Sequence, residues 1–130
     1  MKTQMCAVIS AVLLFCACES EINDPGRTPV SAVELADRIH AGSPPLILDV
    51  RSRDEFGSGH IPGAINIPHD ELDARMAELT VDKSGEIVVH CKSGRRAQLA
   101  ETILREHGYT NVRDLDGHWQ EWQASGLRTE

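Results

Sequence analysis

The chain has 130 residues, enough for one domain of about 100 residues with an apolar core and no need of disulfides. Its 41% hydrophobic and 25% charged residues describe an ordinary folded chain and exclude a disordered one. The net charge of −7 leaves no basic face for a phosphate backbone, so nucleic acid is not an expected partner.

The chain opens on an address rather than on structure. Lys2 is the sole charge before Glu19, and residues 7–15, AVISAVLLF, are almost wholly apolar. That run is far short of the roughly 20 residues that span a bilayer. A basic start, a short apolar core and small residues after it predict an export signal over residues 1–17. Ala17-Cys18 resembles the end of a bacterial lipoprotein signal, in which the cysteine is lipidated. Phe15 and Cys16 depart from that pattern, so plain secretion or an uncleaved anchor stay open. The resemblance implies a periplasmic protein held to the membrane by a lipid on Cys18, and Glu19 favours the outer membrane. Residues 18–27 carry the anchor site and a polar linker with Pro25-Gly26. The domain then occupies residues 28–130.

Ser31 and Glu34 form a capping box that opens a helix, with Val33, Leu35, Ala36 and Ile39 available for one face. Residues 46–50, LILDV, predict a buried strand. A short helix around 54–57 and a strand at 64–67 follow. Leu72, Met76 and Leu79 have helical spacing within 70–79. EIVVHC, residues 86–91, is the clearest buried strand. Residues 95–107 predict a helix, with Leu99 facing Ile103 and Ala100 facing Leu104, and Gly108 stopping it. A strand at 111–115 and a helix at 119–124 close the chain. Strands alternating with helices predict an α/β fold, a small parallel sheet with helices on both faces.

Cys6, Cys16 and Cys18 crowd into the first 18 residues, so Cys91 is the domain's one thiol and no internal disulfide is expected. A lone thiol is most often a small buried apolar residue. The surroundings of Cys91 argue otherwise. It ends a predicted strand, at the sheet edge where open α/β folds bind ligands. Lys92, Ser93, Gly94, Arg95 and Arg96 then lead into a helix. A tight glycine loop at a helix start gathers backbone N–H groups around one point and forms an anion site. The helix dipole, those amides and the three cations favour a thiolate, as a nucleophilic cysteine requires. Cations at a helix start also oppose the dipole, and a bound anion would offset that cost.

The loop resembles the rhodanese active-site motif Cys-x-x-Gly-x-Arg. Two more stretches resemble the same family: Leu48-Asp49-Val50-Arg51 with Glu55-Phe56 and residues 59–68, GHIPGAINIP, and then Leu115-Asp116-Gly117-His118-Trp119 with Trp122. Together they span residues 30–127. The exported form looks most like the periplasmic phage-shock-type rhodanese. The resemblance implies a rhodanese-like fold and a sulfurtransferase that carries sulfur on Cys91 as a persulfide. Its partners would be a small anionic donor such as thiosulfate and a cyanide or thiol acceptor. Residues 92–96 would hold the donor, with Arg96 bracing the loop as much as touching substrate. One departure is His118, where the family usually has a second glycine. It narrows the pocket entrance or adds a titratable group there, and it puts substrate preference in question.

Asp49 and Arg51 support the same edge, as an internal ion pair rather than as substrate contacts. His90 precedes Cys91, but neighbouring strand residues face opposite ways, so it reads as packed structure and not as a general base. Trp119 and Trp122 read as packing, with Trp119 a secondary candidate for the pocket border. The six histidines form no ligand-like cluster, and neither metal nor cofactor is expected. Two rivals stay open. One is a sulfur-carrier or partner-binding module without turnover. The other is a phosphatase or arsenate reductase, whose arginine follows the cysteine after five residues rather than the four that separate Cys91 from Arg96.

Overall fold

A computed structural model describes residues 28–130. The predicted export signal and Cys18 lie outside the described residues. The elements run α1 (Ala32–His40), β1 (Leu46–Asp49), α2 (Arg53–Gly57), β2 (Ile65–Asn66), β3 (Ile87–His90), α3 (Arg95–Glu106), β4 (Val112–Asp114) and α4 (His118–Ala124). The strands form one parallel sheet in the order β2-β1-β3-β4. Beyond β4, Val30 adds a single parallel bridge to Leu115.

Each strand feeds both faces of the sheet, because successive side chains alternate. Leu48, Ile87 and Val89 pack with Ala97, Ala100 and Leu104 of α3 on one side. Ile47 and Val88 pack with Leu35 of α1 and with Trp119 and Trp122 of α4 on the other. The helices therefore cover both faces, and the architecture is the expected α/β one. Ala97 and Ala100 are fully buried and small, which lets the start of α3 lie close against the sheet beneath the loop that follows β3.

Three local expectations need correction. Residues 70–79 do not form an α-helix; they turn, and only Met76–Glu78 is helical, as a 3-10 turn. Arg75, at φ −112° and ψ 18°, breaks the helical path. Leu72 and Leu79 are still buried, so burial of these anchors, rather than helix formation in so short a segment, explains their spacing. Val33 is exposed, because α1 buries Ala32 and Leu35 with Ala36 and Ile39, one turn-spaced stripe that excludes it. Leu99 is likewise exposed, since α3 turns Ala97, Ala100 and Leu104 to the sheet.

Glu101 of α3 faces Asp114 of β4. Burial, then the hydrogen bond and charge of Asp114, push the Glu101 carboxyl from 4.5 up to about 7. An acid with a raised folded-state value favours folding while protonated. Its contribution is intact below about pH 4.5 and is lost as pH rises through about 7. Glu101→Gln is therefore expected to raise the urea midpoint above neutrality and leave it nearly unchanged in mild acid. Equal shifts at both pH values would contradict this.

Candidate active site

The site is built at the carboxyl edge of the sheet. Cys91 follows directly on β3, with its side chain in the α3-side core and only 1% of its surface exposed. The loop from Cys91 to Gly94 curls back, and the Gly94 N–H donates to Cys91 Sγ at 3.0 Å. Gly94 takes φ +124°, a conformation that side chains rarely adopt, and it also starts α3. Ser31 and Ser52 cap α1 and α2, but no side chain caps α3. The first amides of α3 thus have no capping side chain to receive them.

Helix α4 holds the other side of the loop. Trp119 N–H donates to the Cys91 carbonyl at 3.0 Å, and Gln120 N–H to the Lys92 carbonyl at 3.2 Å. With these carbonyls turned toward α4, the loop is clamped by its backbone. Lys92, Ser93 and Arg95 are exposed on it, while Arg96 is half-buried. Arg96 grips Glu55 of α2 with two bonds, 2.6 and 3.1 Å. The Arg96 hydrogen bond holds the Glu55 carboxyl down at about 2. Arg96 thus acts as a brace, and its pairing with Glu55 leaves no free guanidinium fork of the kind that clamps phosphate.

Asp49 and Arg51 form an internal ion pair on the opposite face of the sheet. The Arg51 side chain donates to both Asp49 carboxylate oxygens, to Oδ2 at 2.6 Å and to Oδ1 at 3.0 Å, and to the Gly59 carbonyl at 2.8 Å. Its guanidinium lies 4.3 Å from the Trp119 ring centre. Arg51 and Trp119, with Glu55, Gly59 and Lys92, line a cleft of about 410 Å³ beside the loop. His90 is fully buried near Asp49, with Nε2 3.7 Å from its carboxylate. Burial pushes the His90 imidazole down to about 4, so it is neutral at physiological pH. Its strand position turns it away from the face that carries Cys91.

The structure defines the contacts of three further residues. Glu55 becomes the partner of Arg96; its one signal in the sequence is the capping box Ser52-x-x-Glu55. Trp119 lines the cleft wall, the secondary of its two expected places, and also packs in the core. His118 lies behind the loop, where its Nδ1 accepts the Cys91 N–H at 3.3 Å. It does not line the cleft beside the loop. His118 has φ +55°, a left-handed conformation that costs a residue with a side chain about 1–3 kcal/mol. Among the described residues no group of three His, Cys, Asp or Glu side chains is arranged to hold a metal ion.

Comparison with known proteins agrees with this geometry. Residues 31–125 match the rhodanese-like domain. The chain is 37% identical over 119 residues to Thiosulfate sulfurtransferase 16, chloroplastic, of Arabidopsis thaliana, covering 82% of this chain and 98% of that protein. It is 43% identical over 100 residues to the HTH-type transcriptional regulator Rv0324 of Mycobacterium tuberculosis, covering 75% of this chain but only 42% of the regulator. The solved human single-domain sulfurtransferase TSTD1 superposes with a TM-score of 0.63 at 34% identity, over 74% of this chain and 95% of that one. A parallel sheet, a cysteine loop at its carboxyl edge and a match across nearly the whole described region agree: the chain belongs to the rhodanese-like domain family and is similar to its sulfurtransferases.

Proposed function

We propose that the chain is a thiosulfate sulfurtransferase that carries sulfane sulfur as a persulfide on Cys91. The observation that carries this reading is the Gly94 N–H aimed at Cys91 Sγ at the uncapped start of α3. Such an amide stabilises negative charge on sulfur, both in the thiolate and in the persulfide. The thiolate attacks the outer sulfur of thiosulfate. A new S–S bond forms, the old one breaks, and sulfite leaves with the electron pair. Cyanide or a thiol then attacks the outer persulfide sulfur, and the Cys91 thiolate is the leaving group. No external oxidant or reductant is consumed, and two half-reactions predict ping-pong kinetics. The amides of residues 92–96 hold the anionic donor, with Lys92 and Arg95 adding charge at the mouth.

Mass spectrometry after incubation with thiosulfate tests the intermediate. A gain of one sulfur, about 32 Da, on Cys91 is expected. A second reading is a carrier or partner-binding module that turns over little. It is favoured by the near-complete burial of Cys91 and by the relative whose matching region is one part of a regulator. A sulfur gain without cyanide turnover would support the carrier; no gain would support the binding module.

The N-terminal address supports a further part of the proposal. The protein is exported and anchored in the periplasm by a lipid on Cys18, with the outer membrane as destination. A nine-residue linker, residues 19–27, reaches only about 15–18 Å, so the domain works close to the membrane surface. Metabolic labelling with a fatty acid is expected to mark the wild type and not Cys18→Ala; equal label in both would remove the anchor.

A further inference from the structure

We propose that His118 is a positioning residue for sulfur transfer: its neutral ring fixes the Cys91 loop, and its protonation releases that loop. The inference rests on the sulfurtransferase reading of Cys91. It starts from an arrangement that packing alone does not require. Three contacts tie α4 to the loop. Two are backbone bonds, from Trp119 N–H and Gln120 N–H to the Cys91 and Lys92 carbonyls. The third is the side-chain bond, Cys91 N–H to His118 Nδ1 at 3.3 Å.

That bond sets the state of the ring. Nδ1 must offer a lone pair, so the neutral ring carries its proton on Nε2. Nε2 lies against Gly94, so close that a Cβ built there would meet it at 3.0 Å. His118 therefore touches both ends of the loop. It takes the amide of Cys91 and it packs on Gly94, whose own N–H donates to the sulfur. The left-handed backbone of His118 holds the ring in this place.

Protonation removes the acceptor. An imidazolium presents N–H at Nδ1 to the N–H of Cys91, and two donors at that distance repel. The ring lies beside the Gly94 backbone, so the repulsion at the Cys91 amide bears on the loop. The titratable groups facing His118 are Asp114 at the end of β4, Asp116 in the turn before α4 and His90 on β3, and on the loop it meets the Cys91 backbone amide. The two acids favour the charged ring, whereas burial is the larger influence and holds His118 below its ordinary value. A positive ring by itself would favour a thiolate. Release of the loop opposes this, because it moves the Gly94 amide off the sulfur. The net expectation is that transfer falls in acid as His118 takes up its proton.

The test uses the full chain and three forms: wild type, H118N and H118G. Asparagine and glycine both tolerate the left-handed backbone, and neither side chain titrates. The rate of persulfide formation from thiosulfate is followed against pH, and thiolate is read separately by its ultraviolet absorbance. In wild type the rate is expected to fall about tenfold one pH unit below the His118 midpoint, beyond what thiolate loss explains. That extra limb is expected to be absent in both variants. Nitrogen NMR of wild type supplies a readout that needs no variant. It is expected to give the Nε2–H tautomer, with the Cys91 and Gly94 amide resonances moving as His118 titrates. Superimposable pH profiles for wild type and H118N would overturn the proposal, as would an Nδ1–H tautomer in the neutral protein. If wild type forms no persulfide at any pH, the sulfurtransferase reading fails instead, and the NMR titration alone decides whether His118 holds the loop.

Discussion

Cys91→Ala is expected to abolish thiosulfate-to-cyanide transfer, by at least about a thousandfold, while leaving the protein folded. The loss is large because no second thiol exists in the described domain to accept sulfur. No neighbour substitutes for it either: His90 faces the other side of the sheet, and Arg96 is engaged by Glu55. The fold should survive because the sulfur is small and sits among Val89, Ala97 and Ala100, where its removal leaves a minor void. Such a deletion costs about 1 kcal/mol. Steady-state turnover and urea unfolding, measured on the same preparation, separate the two effects. Turnover retained near the wild-type level would rule out the persulfide mechanism.

Asp49→Ala is expected to be the most destabilising of the single substitutions discussed, at about 3–5 kcal/mol. Asp49 and Arg51 are both almost fully buried. Asp49 receives the Arg51 backbone N–H at 2.9 Å as well as its guanidinium, so truncation strands a buried cation and a backbone donor. Arg51 would retain the Gly59 carbonyl and the face of Trp119, which places the cost toward the lower end of that range. Replacing both charges together, as Asp49→Val with Arg51→Met, is expected to recover most of the loss, since no charge is then left unpaired. Urea unfolding of the two single variants and the double variant gives the coupling. A single-variant loss below about 1 kcal/mol would show that the pair carries little of the stability.

The pair also bears on function. Arg51 and Trp119 stack and together form one wall of the cleft beside the loop. Loss of Asp49 should therefore loosen the cleft wall as well as the core. Donor binding is expected to weaken in proportion, seen as a raised KM for thiosulfate.

Much of this protein was legible from local patterns. The alternation of short apolar runs and turn-spaced stripes specifies a parallel α/β domain, because strand and helix periods are properties of neighbouring residues. The place of Cys91 at a strand end, ahead of a glycine loop and a helix, is likewise local. So are the capping serine at 31 and the stop at Gly108. The register between distant segments is not. Residues 70–79 have helical spacing, yet they turn, because Leu72 and Leu79 only need to reach the core. Val33 and Leu99 are apolar and exposed, because the rotation of each helix is set by what it packs against. Arg96 and Glu55 are 41 residues apart, and Cys91 and His118 are 27 apart. Whether such pairs meet depends on strand order and on where α2 and α4 come to rest over the sheet edge. The sequence by itself thus determined the elements and the local setting of Cys91. Only the tertiary structure decided which side chains brace the Cys91 loop, since long-range contacts follow from packing geometry and not from neighbouring residues.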